Sequence, residues 1–174
     1  MMLLLALKKI LQEYPNYRIK AIFVGNGPDL QPLRYFVISA QLDKMVFFLG
    51  HRNNIPQILS LIDVLVSTTI SEQEGLSNVI LEAMASSVAI LSTKSIGTNE
   101  LVSHGVNGFL INNNDIHDLV NKIVLLYNNE QLKVLMGEQG RHIVCKHYSL
   151  EKMVEGYETV YLRSLKRKGI WDIT

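Results

Sequence analysis

Short apolar runs alternate with amphipathic helical stretches along almost the whole chain, and this rhythm restricts the fold more than any other feature. The opening helix carries Leu4, Leu7 and Leu11 at helical spacing. A strand-like run over 18–24 (RIKAIFV) follows, ending at Gly25-Asn26-Gly27-Pro28. A helix then places Leu30, Leu33 and Val37 on one face, before a strand over 45–49 (MVFFL) that stops at Gly50. The pattern continues with a short helix over 56–62, a strand over 64–67, a polar loop over 68–75 and a helix over 77–86. A strand over 89–91, a short helix starting at Thr98 and a strand over 109–111 complete the alternation. Three helices, over 115–127, 131–147 and 150–166, close the chain, with Ser149 read as the N-cap of the last. Strands that are apolar throughout and alternate with helices predict an α/β fold, a parallel sheet with helices on both faces.

Composition narrows the partners. The 174 residues are 48% hydrophobic and 19% charged, enough for a real core, and the formal net charge of +1 gives no bulk attraction to nucleic acid. The one cysteine, Cys145, has no partner for an internal disulfide, and no cysteine–histidine cluster has zinc spacing. The apolar start, MMLLLALKKILQ, lacks the basic flank and cleavage site of a signal peptide and is too short to span a bilayer, so it reads as a packed helix. The basic stretch 163–168 limits any membrane contact to a peripheral one, and reads first as a solvated helix end.

In a parallel sheet, ligands sit beyond the C-terminal ends of the strands. Four loops leave those ends and should gather on one rim: 25–28, 50–54, 68–77 and 93–100. The richest is within SEQEGLSNVILEAMASS, residues 71–87, where Glu74 and Glu82 are separated by seven residues and Gly75 follows the first. Between them a helix begins at about Leu76-Ser77-Asn78-Val79, whose free N–H groups and positive dipole end suit an anion. Gly75 and Ser77 keep that approach uncrowded, and eight helical steps span about 12 Å.

This Glu-x7-Glu pattern, in an EGxxxxxLEAMA context, strongly resembles the family-4 retaining glycosyltransferases. The resemblance extends in collinear order through VGNGP (24–28), FLGHRNNIPQIL (48–59), DVLVS (63–67) and GTNELVSHGVNGFLI (97–111), covering most of 18–165. It implies the C-terminal half of a GT-B fold, a Rossmann-like sheet lacking its first strand, that binds a nucleotide-diphospho-sugar. On that resemblance Glu82 accepts hydrogen bonds from ribose hydroxyls. Glu74 sits beside the donor sugar, holding its hydroxyls and favouring the positive charge that develops on its ring. Gly25 and Gly27 let the backbone approach the nucleotide, His51 and Arg52 lie in the loop that contacts the base, and Gly97 and Glu100 match the loop facing the phosphates and sugar. The family mechanism uses no metal and no further cofactor.

The departures from the family are as informative. Its second domain usually opens with a strand, a glycine-arginine loop and a lysine-glycine pair whose cations neutralise the leaving diphosphate. Here residues 1–174 read as a single partial domain without an acceptor-binding domain. No residue carries onto either basic position, and Lys8 and Lys9 lie too far along the helix. Without that strand, the strands around Phe23 and Leu65 lose a shared neighbour, so the sheet must close over, borrow a strand or lose stability. Family glycine, proline and glycine positions are Ser87, Ala89 and Ile96 here, and Ile96 is expected to narrow or stiffen the phosphate-facing loop.

The reading is therefore a donor-binding domain of a retaining hexosyltransferase acting on a polysaccharide or glycolipid precursor, inactive in transfer by itself. Its partners would be a separate acceptor-domain chain or a second copy, in the cytoplasm or at the inner membrane face. Two alternatives remain: a decayed or repurposed non-enzymatic nucleotide-binding module, and a sugar-nucleotide enzyme such as a non-hydrolysing epimerase. The EGLSNVILEAMA block favours a transferase over the second of these.

Overall fold

A computed structural model describes residues 1–68 and 75–168. Its elements run α1 (Met2–Glu13), β1 (Ala21–Val24), α2 (Leu30–Ser39), β2 (Val46–Gly50), α3 (Ile55–Leu59), β3 (Val64–Ser67) and α4 (Asn78–Ala85). They continue with β4 (Ala89–Thr93), α5 (Ile96–Leu101), β5 (Gly108–Ile111), α6 (Ile116–Asn128), α7 (Glu130–His147) and α8 (Leu150–Arg167). The element order matches the sequence reading throughout, and the differences are at element ends. The first strand starts at Ala21 rather than residue 18 because the Arg18 N–H leaves the sheet and donates to the Tyr127 hydroxyl (3.2 Å). Strand β4 runs on to Thr93 because it is paired on both sides. Helix α5 starts at Ile96 rather than Thr98 because Ser95 caps it, its Oγ accepting from the Thr98 N–H (3.2 Å).

All strand pairs are parallel, but they make two sheets: β1 with β2, and β3-β4-β5 in that order. Among the described residues, the strands around Phe23 and Leu65 thus share no neighbour, and each is paired on one side only.

In the three-stranded sheet the pleat sends alternate side chains into two cores. Ala89, Leu91, Phe109 and Ile111, with Val64 and Val66, pack toward α1 and α6 through Ala6, Ile10, Leu119 and Val120. Ile90, with Leu65 and Leu110, packs toward α3, α4, α5 and α7 through Leu59, Ile80, Met84, Leu101 and Val144. Burial on both sides explains why all five residues of β4 are buried. Helix α7 comes close because it carries glycines: a Cβ on Gly137 would lie 1.9 Å from the Ser87 carbonyl oxygen.

The two-stranded sheet departs from the expectation of helices on both faces. Ala21, Phe23, Val46 and Phe48 pack with Leu4 and Leu7 of α1 and Val37 of α2. On the opposite face Ile22, Val24 and Phe47 are 36–39% exposed, with no helix laid over them among the described residues. The reason is local: α3 is five residues long and places Leu59 in the core under the other sheet. Helix α8 likewise buries no residue.

Candidate functional site

The C-terminal ends of β1 and β2 are joined at the rim. The Gly25 N–H donates to the Gly50 carbonyl (2.8 Å), which brings the loops over 25–28 and 50–54 together. Both glycines have left-handed backbone, φ +116° and +69°, a conformation that side chains with a Cβ rarely adopt. A cleft of about 200 Å³ opens beside them, lined by Gly25, Asn26, Gly27, Leu30 and Phe48 among others. A Cβ on Gly27 would meet nothing within 4 Å, so the backbone there is open to a ligand. His51 and Arg52 follow on the same rim and are exposed. The His51 Nε2 hydrogen-bonds the Asn53 Oδ1 at 2.9 Å.

Beyond β3 the chain turns into α4. Ser77 holds an extended N-cap conformation, yet its side chain makes no capping bond, and the first turn carries no acidic residue. The first ladder bond is from the Leu81 N–H to the Ser77 carbonyl (3.1 Å), so the N–H groups of Asn78, Val79 and Ile80 have no intrahelical partner. Ile80, Ala83 and Met84 turn into the core, which leaves Asn78, Val79 and Glu82 outward at three- and four-residue spacing. Glu82 is exposed and forms no ion pair among the described residues. It stands about 6 Å along the axis from Asn78. Gly75 and Leu76 are exposed at the approach to this helix end, and space around Gly75 is open. Glu74 lies outside the described residues.

The turn after β4 is held by Thr98, whose Oγ1 donates to the Thr93 carbonyl (2.9 Å) and accepts from the Ser95 N–H (2.8 Å). These bonds fix the buried Gly97 backbone next to the strand end. Ile96, expected to restrict the loop, is instead the first residue of α5. Its side chain is 65% exposed and its φ is not positive, so it adds no strain. Glu100 is exposed in the second half of α5, not in its first turn, and its carbonyl accepts from the Tyr148 hydroxyl (3.3 Å).

Sequence reasoning missed a cation here. Lys94, directly after β4, donates from Nζ to the Asn112 Oδ1 (2.8 Å) at the exit of β5. A basic residue immediately after a rim strand was the available signal. It also missed Asn107, fully buried, which accepts from the Ser103 N–H (2.7 Å) and donates to the Leu101 carbonyl (3.0 Å), shaping the loop before β5. His104 accepts at Nδ1 from the Leu110 N–H (3.2 Å) and packs edge-on against Phe109.

Gly25, Gly27, His51 and Arg52 therefore stand on the rim of one sheet. Gly75–Val79, Glu82, Gly97 and Glu100 stand around the rim of the other. The second group includes the N-terminus of α4, whose first backbone N–H groups lack intrahelical partners, with one carboxylate, Glu82, on the helix's exposed face. That set can take an anionic group and a hydroxyl-bearing one beside it.

Residues 1–143 match the family model of the glycosyl transferases group 1. The chain is 32% identical over 147 residues to the N-acetyl-alpha-D-glucosaminyl L-malate synthase of Bacillus anthracis, covering 84% of this chain and 38% of that protein. It is 30% identical over 148 residues to the UDP-Gal:alpha-D-GlcNAc-diphosphoundecaprenol alpha-1,3-galactosyltransferase of Escherichia coli, again 84% and 38%. Among solved structures, Anabaena HepE in complex with UDP superposes with a TM-score of 0.82 at 28% identity, over 94% of this chain and 44% of that one. The chain thus spans about two fifths of the length of these three relatives.

Proposed function

Because this chain belongs to the glycosyl transferases group 1 family, we propose that it is the donor-binding domain of a retaining glycosyltransferase that takes a hexose from a nucleotide diphosphate. One observation carries the reading: the start of α4 presents N–H groups without intrahelical partners at the C-terminal rim of a parallel sheet, with Glu82 one turn further along its exposed face. The diphosphate would lie on that helix end, where the dipole and N–H groups favour negative charge. Glu82 would accept hydrogen bonds from the ribose hydroxyls. The backbone at Gly25 and Gly27, with His51 and Arg52, would border the base. Gly97 and Glu100 would face the sugar, and Glu74 would orient it.

The reading invokes no metal, since helix N–H groups carry the phosphate charge in it. We infer an acceptor in the polysaccharide or glycolipid class, in keeping with the diphosphoundecaprenol acceptor in the name of the Escherichia coli relative. Front-side departure of the diphosphate needs an acceptor on the same face of the sugar. We therefore infer that residues 1–174 bind donor and that transfer needs an acceptor-binding surface facing them, on a partner chain, a second copy or a further stretch of the same polypeptide. No helix among the described residues is long and apolar enough to cross a membrane. We place the protein in the cytoplasm, reaching the inner membrane face through its partner or the basic end of α8.

Isothermal titration with UDP tests this. Hydrogen bonds to a carboxylate contribute about 1.5–3 kcal/mol, so Glu82→Ala should weaken UDP binding by roughly 10- to 150-fold. Unchanged affinity in that variant, or no UDP binding by the intact chain at millimolar concentration, would sink the proposal.

A further inference from the structure

We propose that Asn26 selects the base of the donor: its side-chain amide, in the cleft at the ends of β1 and β2, reads the edge of a uracil through two hydrogen bonds. This rests on the donor-domain reading and adds the side chain that decides which nucleotide enters.

The cleft suits a base and not the rest of a donor. Its volume is about 200 Å³, below the range of about 300–1,000 Å³ for a site that encloses a whole ligand. It therefore takes one end of a nucleotide-diphospho-sugar. Its floor is apolar, made of Phe23, Leu30, Leu33 and Phe48, with the two phenylalanine rings 5.2 Å apart. A flat, uncharged heterocycle covers such a floor, whereas a sugar would leave its hydroxyls without partners there. Among the described residues, Asp29 is the one ionised side chain that lines the cleft. A carboxylate repels phosphate, so the diphosphate stays outside.

Elimination leaves one reader. The edge of a base carries donors and acceptors side by side, so its reader needs both. Among the described residues, the cleft's polar side chains are those of Asn26 and Asp29. The Asp29 carboxylate only accepts. The facing loop over 51–54 contributes no lining side chain. There His51 is committed to Asn53, Nε2 to Oδ1 at 2.9 Å, and Arg52 only donates. Asn26 carries an amide N–H2 and C=O together, is exposed, and its side chain has no hydrogen-bond partner among the described residues.

The backbone sets where that amide sits. A Cβ added at Gly50 would lie 3.7 Å from the Asn26 Oδ1. The amide therefore rests against the joined strand ends, where the Gly25 N–H donates to the Gly50 carbonyl.

Uracil matches it. The base presents its N3–H between two carbonyls, so the Asn26 Oδ1 would accept from N3–H while Nδ2 donates to the neighbouring carbonyl. An aspartate in this place has acceptors only. It would keep the N3–H bond and set its second oxygen against a carbonyl. Guanine, whose N1–H and N2 amino group are adjacent, offers the same carboxylate two donors.

Isothermal titration of the full chain with UDP and with GDP tests this through the isosteric Asn26→Asp. UDP affinity should fall, and the ratio of GDP to UDP affinity should rise by about tenfold or more, as one neutral bond is lost to uracil and a charge-assisted pair is gained with guanine. The ratio is the informative quantity. A misshapen loop, or negative charge added near the diphosphate, weakens both nucleotides alike and leaves it unchanged. Asp29→Asn, at the cleft's other polar side chain, should not move it. An unchanged ratio in Asn26→Asp, or an equal shift in Asp29→Asn, overturns the role of Asn26. UDP binding that responds to Glu82→Ala but keeps its ratio in Asn26→Asp removes only the base assignment and leaves the donor-domain reading standing. Binding of neither nucleotide by the intact chain removes both.

Discussion

Helix α7 offers a matched pair of substitutions that tests how it is seated on α4 and the turn at Ser87. Replacing a mid-helix glycine by alanine gains about 1 kcal/mol of helix propensity wherever there is room. At Gly140 there is nearly room: the added Cβ would lie 3.4 Å from the Met84 Cγ, the flexible part of a methionine side chain. At Gly137 it would lie 1.9 Å from the Ser87 carbonyl oxygen and 2.7 Å from the Ser87 carbonyl carbon, and neither is free to rotate away. The helix or the Ser87 turn must therefore retreat by more than 1 Å. Such overpacking costs about 1–3 kcal/mol, and more when backbone must move, against the same gain of about 1. Gly140→Ala should thus be neutral or slightly stabilising, and Gly137→Ala should be destabilising by up to about 2 kcal/mol net. Urea unfolding reads both as shifts in midpoint at constant slope. The displaced turn follows α4 directly and α7 packs on α4, so Gly137→Ala should also weaken UDP binding while Gly140→Ala does not. Equal midpoints for the two variants, or a more stable Gly137→Ala, would refute the close-approach reasoning.

Ser87 sits at φ +58°, where the family has glycine, so Ser87→Gly should relieve strain of about 1 kcal/mol, partly offset by the looser unfolded chain. A melting temperature raised by about 1–2 °C is expected, and a lower one counts against it. Lys133 is largely buried and bridges Glu130 (2.7 Å) and Asp63 (3.2 Å), tying α7 to the start of β3. Its burial pulls the pKa down, but the hydrogen bonds to Glu130 and Asp63 outweigh this and hold it above the ordinary 10.5. A raised lysine pKa stabilises fully below the unfolded value and loses that contribution as pH climbs through the folded one. Lys133→Met should therefore cost a constant amount, about 1 kcal/mol or less, from pH 7 to 9. The difference should shrink above about pH 10.5, as urea midpoints at both ends of the range would report; a gap that widens there refutes the assignment. Asn107→Ala removes the partner of the Ser103 N–H and the Leu101 carbonyl inside the core, for an expected loss of about 2–3 kcal/mol on chemical unfolding, and a loss under 0.5 would contradict the network.

The amino-acid sequence by itself settled the order of elements, because strand and helix periods are local: each short apolar run and each i, i+3, i+4 stripe is readable without knowing its neighbours. It also carried the family, through the EGLSNVILEAMA block, and with it the residues of the α4 end. Four matters rested with the tertiary structure. The split into two sheets depends on which strands hydrogen-bond, and pairing is a contact between residues tens of positions apart. The bare face of Ile22, Val24 and Phe47 depends on where a five-residue α3 packs, which its own sequence does not state. The need for glycine at 137 depends on a carbonyl fifty residues earlier in the chain, and the position of Lys94 on Asn112 on two strand ends meeting at one rim. What is local in the chain was legible from residue pattern, and what arises from distant segments arriving side by side became visible only in three dimensions.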